Sequence, residues 1–204
     1  MATSRRREPV AALPRANPVI LVSVGTQLPF DRLIRAVDGW AVDHGRSDVI
    51  AQVGPTRYRP VALKSFAHVA YDVFRDLQKE CRVMVCHAGM GSIITAMEFG
   101  KPIIVMPRNH KLGEHRNGHQ FATLRQFGDR PGIYPADTEV ELRALLERVD
   151  DLTAYPTLNT IASDAFVEQL AEIVHRPAKT SKIRQLRHFL SGKRAGEPDR
   201  PGLR

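Results

Sequence analysis

Four short apolar runs, each closed by a turn and followed by a helical pattern, constrain this chain more than any other feature. They are VILVSV at Val19–Val24, DVIAQV at Asp48–Val53, RVMVC at Arg82–Cys86 and PIIVM at Pro102–Met106. Each is rich in β-branched residues and too short for a helix, so each reads as a strand buried on both faces. Between them lie segments with helical spacing. In Phe30–His44, Phe30, Leu33, Ile34, Val37, Trp40 and Ala41 fall on one face. Tyr71–Glu80, Gly91–Phe99, Asn117–Phe127, Thr138–Val149 and Ile161–His175 read as further helices. Val61–Phe66 and Gly132–Tyr134 add two shorter strands. Strand and helix in alternation predict an α/β fold: a doubly wound, Rossmann-like parallel sheet covered on both faces. Ligands of such sheets sit at the carboxyl ends of the strands. Here those ends carry Gly25-Thr26, Gly54, His87-Ala88-Gly89 and Pro107-Arg108.

The 204 residues suit one domain with tails, set at 1–17, 18–175 and 176–204. The net charge of +8 suggests a nucleic-acid binder until it is located. Residues 175–204 carry +7 and residues 1–17 carry +3, which leaves 18–174 at −2. A nucleic-acid reader carries its charge on a folded face, so no specific nucleic acid is expected. Basic tails suit an anionic membrane surface or an acidic partner, and they also suit plain solubilising ends. Within the second tail, Lys182–Leu190 places Ile183, Leu186, Phe189 and Leu190 near one helical face, a pattern that could dock on either. Two cysteines, Cys81 and Cys86, make no disulfide framework and fit a reducing cytoplasm. No run approaches the roughly 20 apolar residues of a membrane span, and no signal peptide is read at the N-terminus. Peripheral attachment to the inner face of the cell membrane is the expected location.

The sharpest motif is VMVCHAGMGS at Val83–Ser92. A strand ends, His87 follows, and Gly89 and Gly91 lead into a helix that begins near Ser92. Glycines let the backbone approach a ligand closely, and the positive end of a helix attracts phosphate. His87 could place an N–H on the same phosphate, and Ser92 could cap the helix or donate. Ile94 occupies the third glycine position of the dinucleotide fingerprint G-x-G-x-x-G, which argues against an NAD enzyme. A second group of donors lies in PRNHKLGEHRNGHQ, from Pro107 to Gln120, beside the first turn. It includes Arg108, His110, Lys111, His115, Arg116, Asn117, His119 and Gln120, and such a loop could close over a nucleotide diphosphate or a sugar. His115 and His119 have metal-ligand spacing, but one pair is too few, and no Asp-x-Asp pair occurs to bridge a metal to a diphosphate. No metal and no cofactor is expected. Gly25 and Thr26, in SVGTQLPFD, form the third candidate turn.

SVGT…PFDRL, CHAGMGSI, GKPIIVMPR and EHRNGHQ, in this order, resemble the C-terminal domain of glycosyltransferase family 28. The resemblance runs from about Val19 to Arg148. It is nearest to the stand-alone members: the catalytic subunit type of the two-part dolichol-pathway N-acetylglucosaminyltransferase, and the bacterial PssE-type exopolysaccharide enzymes. It implies one half of a GT-B enzyme, the half that binds a UDP-sugar. The acceptor half is then a separate membrane-associated partner subunit, and the acceptor a lipid-linked saccharide in polysaccharide biosynthesis. By position, His87, Gly89, Gly91 and Ser92 would face the diphosphate, Gly25 and Thr26 would line the cleft floor, and Gln120, with His119 beside it, would touch the donor sugar. Glu114, Arg108 and Arg116 join them as candidate substrate contacts. Relatives often hold the ribose through an acid three residues after Ser92; here that residue is Thr95, with Glu98 one turn on as the substitute. Arg108, Lys111 and Arg116 could pair with a sugar carboxylate, so glucuronate is the expected donor sugar, with glucose, galactose and N-acetylglucosamine as alternatives. The resemblance implies inversion at the anomeric carbon. No general base is evident, and the partner could supply it. The rival reading is a module that binds a nucleotide sugar without catalysing its transfer.

Overall fold

The computed structural model describes residues 20–154, together with residues 157 and 168. The expected helix over 161–175, both basic tails and the amphipathic segment 182–190 lie outside the described residues.

Six strands form one parallel sheet: β1 (Ile20–Ser23), β2 (Val49–Gln52), β3 (Lys64–Phe66), β4 (Val83–His87), β5 (Ile103–Met106) and β6 (Ile133–Pro135). Among the described residues four α-helices lie between strands, α1 (Asp31–Asp43), α2 (Tyr71–Glu80), α3 (Met90–Glu98) and α4 (His119–Phe127), and α5 (Glu139–Glu147) follows β6. The strand order is β3-β2-β1-β4-β5-β6, which is the doubly wound arrangement inferred from the sequence.

Strand periodicity sorts the core into two layers. Ile20, Val22, Val83, Val85 and Ile104 face Leu33, Ile34, Val37 and Trp40 of α1 and Leu142 and Leu146 of α5. Leu21, Met84, Cys86, Ile103 and Val105 face Ile93 and Met97 of α3 and Leu124 of α4. Burial on both faces is why these strands read as continuous apolar runs rather than alternating ones. α5 begins with a full capping box, in which Thr138 Oγ1 accepts from Glu141 N and Glu141 reaches back to the cap.

The connection from β2 to β3 contains no helix. It is held instead by Asp38 of α1, whose carboxylate is buried to 1% exposure. Asp38 accepts from Tyr58 Oη at 2.6 Å and from the N–H groups of Val61, Ala62 and Leu63 at 2.9 to 3.2 Å. Burial alone would raise its pKa, but these donors win and hold it below the usual carboxylate range. This explains a difference from the sequence expectation. A strand was expected over Val61–Phe66, but it starts only at Lys64 because the three preceding N–H groups go to Asp38. α4 likewise starts at His119 rather than Asn117, since Asn117 Oδ1 accepts from the His119 N–H and precedes the helix as a turn.

Candidate active site

The order reversal falls between β1 and β4, which are neighbours although α1, β2, β3 and α2 intervene in sequence. A cleft of about 720 Å³ opens there, outside the carboxyl ends of the strands. Its floor is polar where the strands stop being apolar. Ser23, the last residue of β1, donates its hydroxyl to Gln52 Oε1 at 2.7 Å, and both side chains are buried.

His87 ends β4 and stands in a slot made by two glycines. A Cβ on Gly25 would lie 3.0 Å from His87 Cε1, and a Cβ on Gly89 would overlap Nε2. Gly25 also has φ +78°, in the left-handed region that favours glycine. Burial, then the nearby Arg108 cation, push the imidazole down to about 4, with a smaller contribution from His115. The Ser23 carbonyl favours the charged form but lies outside bonding geometry, and the buried Nδ1 has no hydrogen-bond partner among the described residues. The ring is therefore neutral at physiological pH, with one N–H to donate.

Gly91 differs from the other two glycines. No protein atom lies within 4 Å of the Cβ it lacks, although it lines the cleft. The N-cap of α3 is Gly89, with no side-chain cap. Ser92 is therefore the third helical residue, not the cap: its N–H bonds Gly89 O at 3.1 Å while its hydroxyl faces the Cys86 thiol. Burial pushes that thiol up to about 12, so Cys86 is a neutral core group. The first N–H groups of α3, on Met90 and Gly91, are thus open to the cleft end of the helix, where the dipole favours an anion.

The structure brings Gly25, Thr26, His87, Gly89, Gly91, Ser92, Arg108, His115 and Gln120 to this one cleft. Glu114, Arg116 and His119 are not among its lining. Glu114 is turned to α1: its carboxylate accepts from Arg32 Nε at 2.9 Å, Arg32 Nη2 at 3.0 Å and Asn109 N at 2.7 Å, and so clamps the loop. Arg116 and His119 are exposed on the loop and on the first turn of α4, so His115 and His119 do not converge. Arg108 reaches the cleft but is 3% exposed and spends its guanidinium on backbone carbonyls. With Lys111 also exposed and outside the lining, the three cations expected to meet a sugar carboxylate are not gathered there, and the glucuronate expectation loses its basis. Gln120 is 7% exposed, its Oε1 accepts from Arg108 N at 2.9 Å, and its Nε2 donates to no described residue. Thr95 lines the cleft, whereas Glu98 is paired with Arg75 at 2.9 Å and does not.

One wall escaped the sequence reading. Phe74, Arg75 and Gln78 of α2 line the cleft. The available signal was that α2 is amphipathic, and the structure buries none of its residues fully, as for a helix leaning on a cavity. Among the described residues no Asp or Glu lines the cleft, while Arg75 and Arg108 do.

Among the described residues no helix is long and apolar enough to cross a membrane. No curated protein matches the sequence. Among solved structures, the NMR solution structure of ALG13 is similar at 17% identity and a TM-score of 0.50, covering 75% of this chain and 94% of that one. The glycotransferase of kitacinnamycin is similar at 20% identity and a TM-score of 0.52; the match covers 71% of this chain and only 38% of that one. At these identities the likeness is one of fold. The profile of the glycosyltransferase family 28 C-terminal domain matches residues 19–177. The chain belongs to that glycosyltransferase family.

Proposed function

We propose that this chain is the donor-binding catalytic subunit of a two-part inverting glycosyltransferase, moving a hexose from a UDP-sugar to a lipid-linked saccharide. The observation that carries the reading is the meeting of a neutral His87, whose Nδ1 has no partner among the described residues, with the uncapped start of α3 in a cleft whose described lining holds cations and no carboxylate. The donor diphosphate is assigned to the N–H groups of Met90 and Gly91, the Ser92 hydroxyl and the His87 N–H, with Gly25 and Thr26 across the floor. Gln120 Nε2 is the donor assigned to the sugar. The wall made by Phe74, Gln78 and Thr95 is assigned to the nucleoside.

The reaction breaks the bond from sugar C1 to the diphosphate oxygen, and negative charge grows on the leaving UDP. Preorganised N–H and O–H donors at that position stabilise the charge more in the transition state than in the ground state. His87 enters as a hydrogen-bond donor, and the arriving phosphate charge raises its pKa toward the cationic form. The acceptor hydroxyl attacks C1 from the face opposite the diphosphate, giving inversion. Its proton needs a base. His87 is committed to the diphosphate, and among the described residues no carboxylate lines the cleft, so the base is assigned to a membrane-associated acceptor subunit. On this reading the chain sits peripherally at the membrane through that partner. That no carboxylate lines the cleft among the described residues also favours a second reading, a nucleotide-sugar-binding module without catalysis.

Calorimetric titration with UDP, GDP and NAD, with His87→Ala as control, tests the donor site. Selective UDP binding, lost in the control, is expected; equal binding of NAD would refute it. Sugar transfer on reconstitution with an acceptor subunit separates the enzyme from the binding module.

A further inference from the structure

Arg108 is the most heavily engaged side chain at the cleft. Its Nη2 donates to Val24 O at 2.6 Å and Leu28 O at 2.7 Å, and its Nη1 donates to Pro29 O and, at 3.3 Å, to Glu114 O. The guanidinium carbon sits 4.8 Å from the centre of the Phe30 ring. Its own backbone N–H holds Gln120 Oε1. One residue thus ties three carbonyls of the turn after β1, which carries Gly25 and Thr26, to the loop after β5 and the start of α4. From the far side, Arg32 straps the same loop to α1 through Glu114 and through Pro107 O at 3.0 Å.

A buried guanidinium is costly to desolvate, and here the Glu114 carboxylate that could offset it goes to Arg32 and Asn109 instead. Burial lowers its pKa to about 10, with Glu114 opposing, so it stays charged at neutral pH. Carbonyl dipoles satisfy its N–H groups, but they leave the positive charge beside a cleft without carboxylates. The flat, forked guanidinium can donate to several carbonyls at once; an ammonium cannot hold that geometry.

We propose that Arg108 is a positioning residue for the donor diphosphate, fixing the turn at residues 24–29 and the side chain of Gln120 on opposite sides of one ligand. This rests on the donor-site reading above. It does not touch the reacting atoms, and it acts through Gly25, Thr26 and Gln120. It also faces His87 electrostatically, together with His115 from the same loop and the Ser23 carbonyl from β1.

The test uses the full chain as Arg108→Lys and Arg108→Met, with UDP affinity by calorimetry, imidazole titration and backbone amides by NMR, and fold by circular dichroism. Both variants are expected to lose at least about tenfold in UDP affinity, with amide shifts concentrated at 24–29 and 120. In Arg108→Met alone the His87 midpoint is expected to rise, since only that variant removes the charge. If the wild type binds UDP and Arg108→Lys binds equally well, the proposal is overturned while the donor reading stands. If the wild type binds no UDP, the donor reading fails and the amides decide: unchanged resonances at 24–29 and 120 in both variants overturn the positioning role. Loss of the native sheet in both variants would reduce Arg108 to a support of the fold, and would overturn it too.

Discussion

Holding His87 neutral makes the protein sensitive to mild acid. The unfolded imidazole titrates near its ordinary value of 6.5, and the folded one near 4. Between these values the unfolded chain binds a proton that the folded chain does not, so stability falls as pH drops through this window. A difference of about 2.5 pKa units at about 1.36 kcal/mol each amounts to about 3 kcal/mol lost between neutral pH and pH 4. Replacing His87 with glutamine, which does not titrate, should remove that loss and leave the rest of the acid response in place. Asp38 does not confuse the result. Its folded pKa is held below the ordinary 3.8, so the stability it contributes is lost only below that value. Urea unfolding of wild type and His87→Gln at pH 7, 6, 5 and 4.5 reads the effect. With a slope of about 2 kcal/mol per molar urea, the wild-type midpoint should fall by about 1 M or more relative to the variant over this range. Parallel pH profiles for the two proteins would refute the argument, because they would mean that the folded and unfolded imidazoles titrate together.

Two of the cleft glycines should separate by role. Gly89→Ala places a methyl in the His87 ring and should lower thermal stability, whereas Gly91→Ala meets no protein atom and should leave the melting temperature unchanged or slightly raised while weakening UDP binding. Asp38→Ala strands the Tyr58 hydroxyl and three N–H groups and should cost about 3 kcal/mol or more, with hydrogen exchange accelerated at residues 61–63. UDP binding should draw a proton onto the protein between pH 4.5 and 6.5 through His87. Calorimetry in buffers of different ionisation enthalpy would register it, and His87→Gln should abolish it.

The parts of the fold legible in the sequence are those set by local pattern. α2 begins and ends where its periodicity does, and β5 loses only Pro102, whose missing N–H cannot join the ladder. The turn after β4 is legible for the same reason, since His87, Gly89, Gly91 and Ser92 are near neighbours in sequence between a strand and a helix. What escaped depends on partners distant in sequence. Arg108 looks like one more loop cation until its guanidinium donates to Val24 O, 84 positions away, and Glu114 looks like a free loop carboxylate until Arg32, 82 positions away, pairs with it. The short β3 is a smaller case of the same kind: the residues before Lys64 have strand character, but their N–H groups answer to Asp38, more than twenty positions upstream. The sequence pattern starts α3 near Ser92, whereas the helix starts at Met90, because its N-cap is Gly89, which has no side chain to announce a cap.

The electrostatics of the cleft bear on how the reaction must be divided. A site that binds a diphosphate needs positive potential, and this one has the end of α3, Arg75 and Arg108. A site that deprotonates a hydroxyl needs a base near neutrality, and the same potential works against having one. Each cation that draws in the phosphates also lowers the pKa of a neighbouring imidazole, as Arg108 does to His87. The two requirements are met most simply by placing them on different bodies, with the leaving group held here and the base brought by whatever carries the acceptor. On this reasoning the chain alone binds UDP and turns over nothing. Adding the acceptor subunit should restore transfer with a pH optimum set by a group that this cleft does not contain. A pH-rate profile of the complex that moved when His115 was replaced by glutamine would place the base in this chain after all, and would overturn the division.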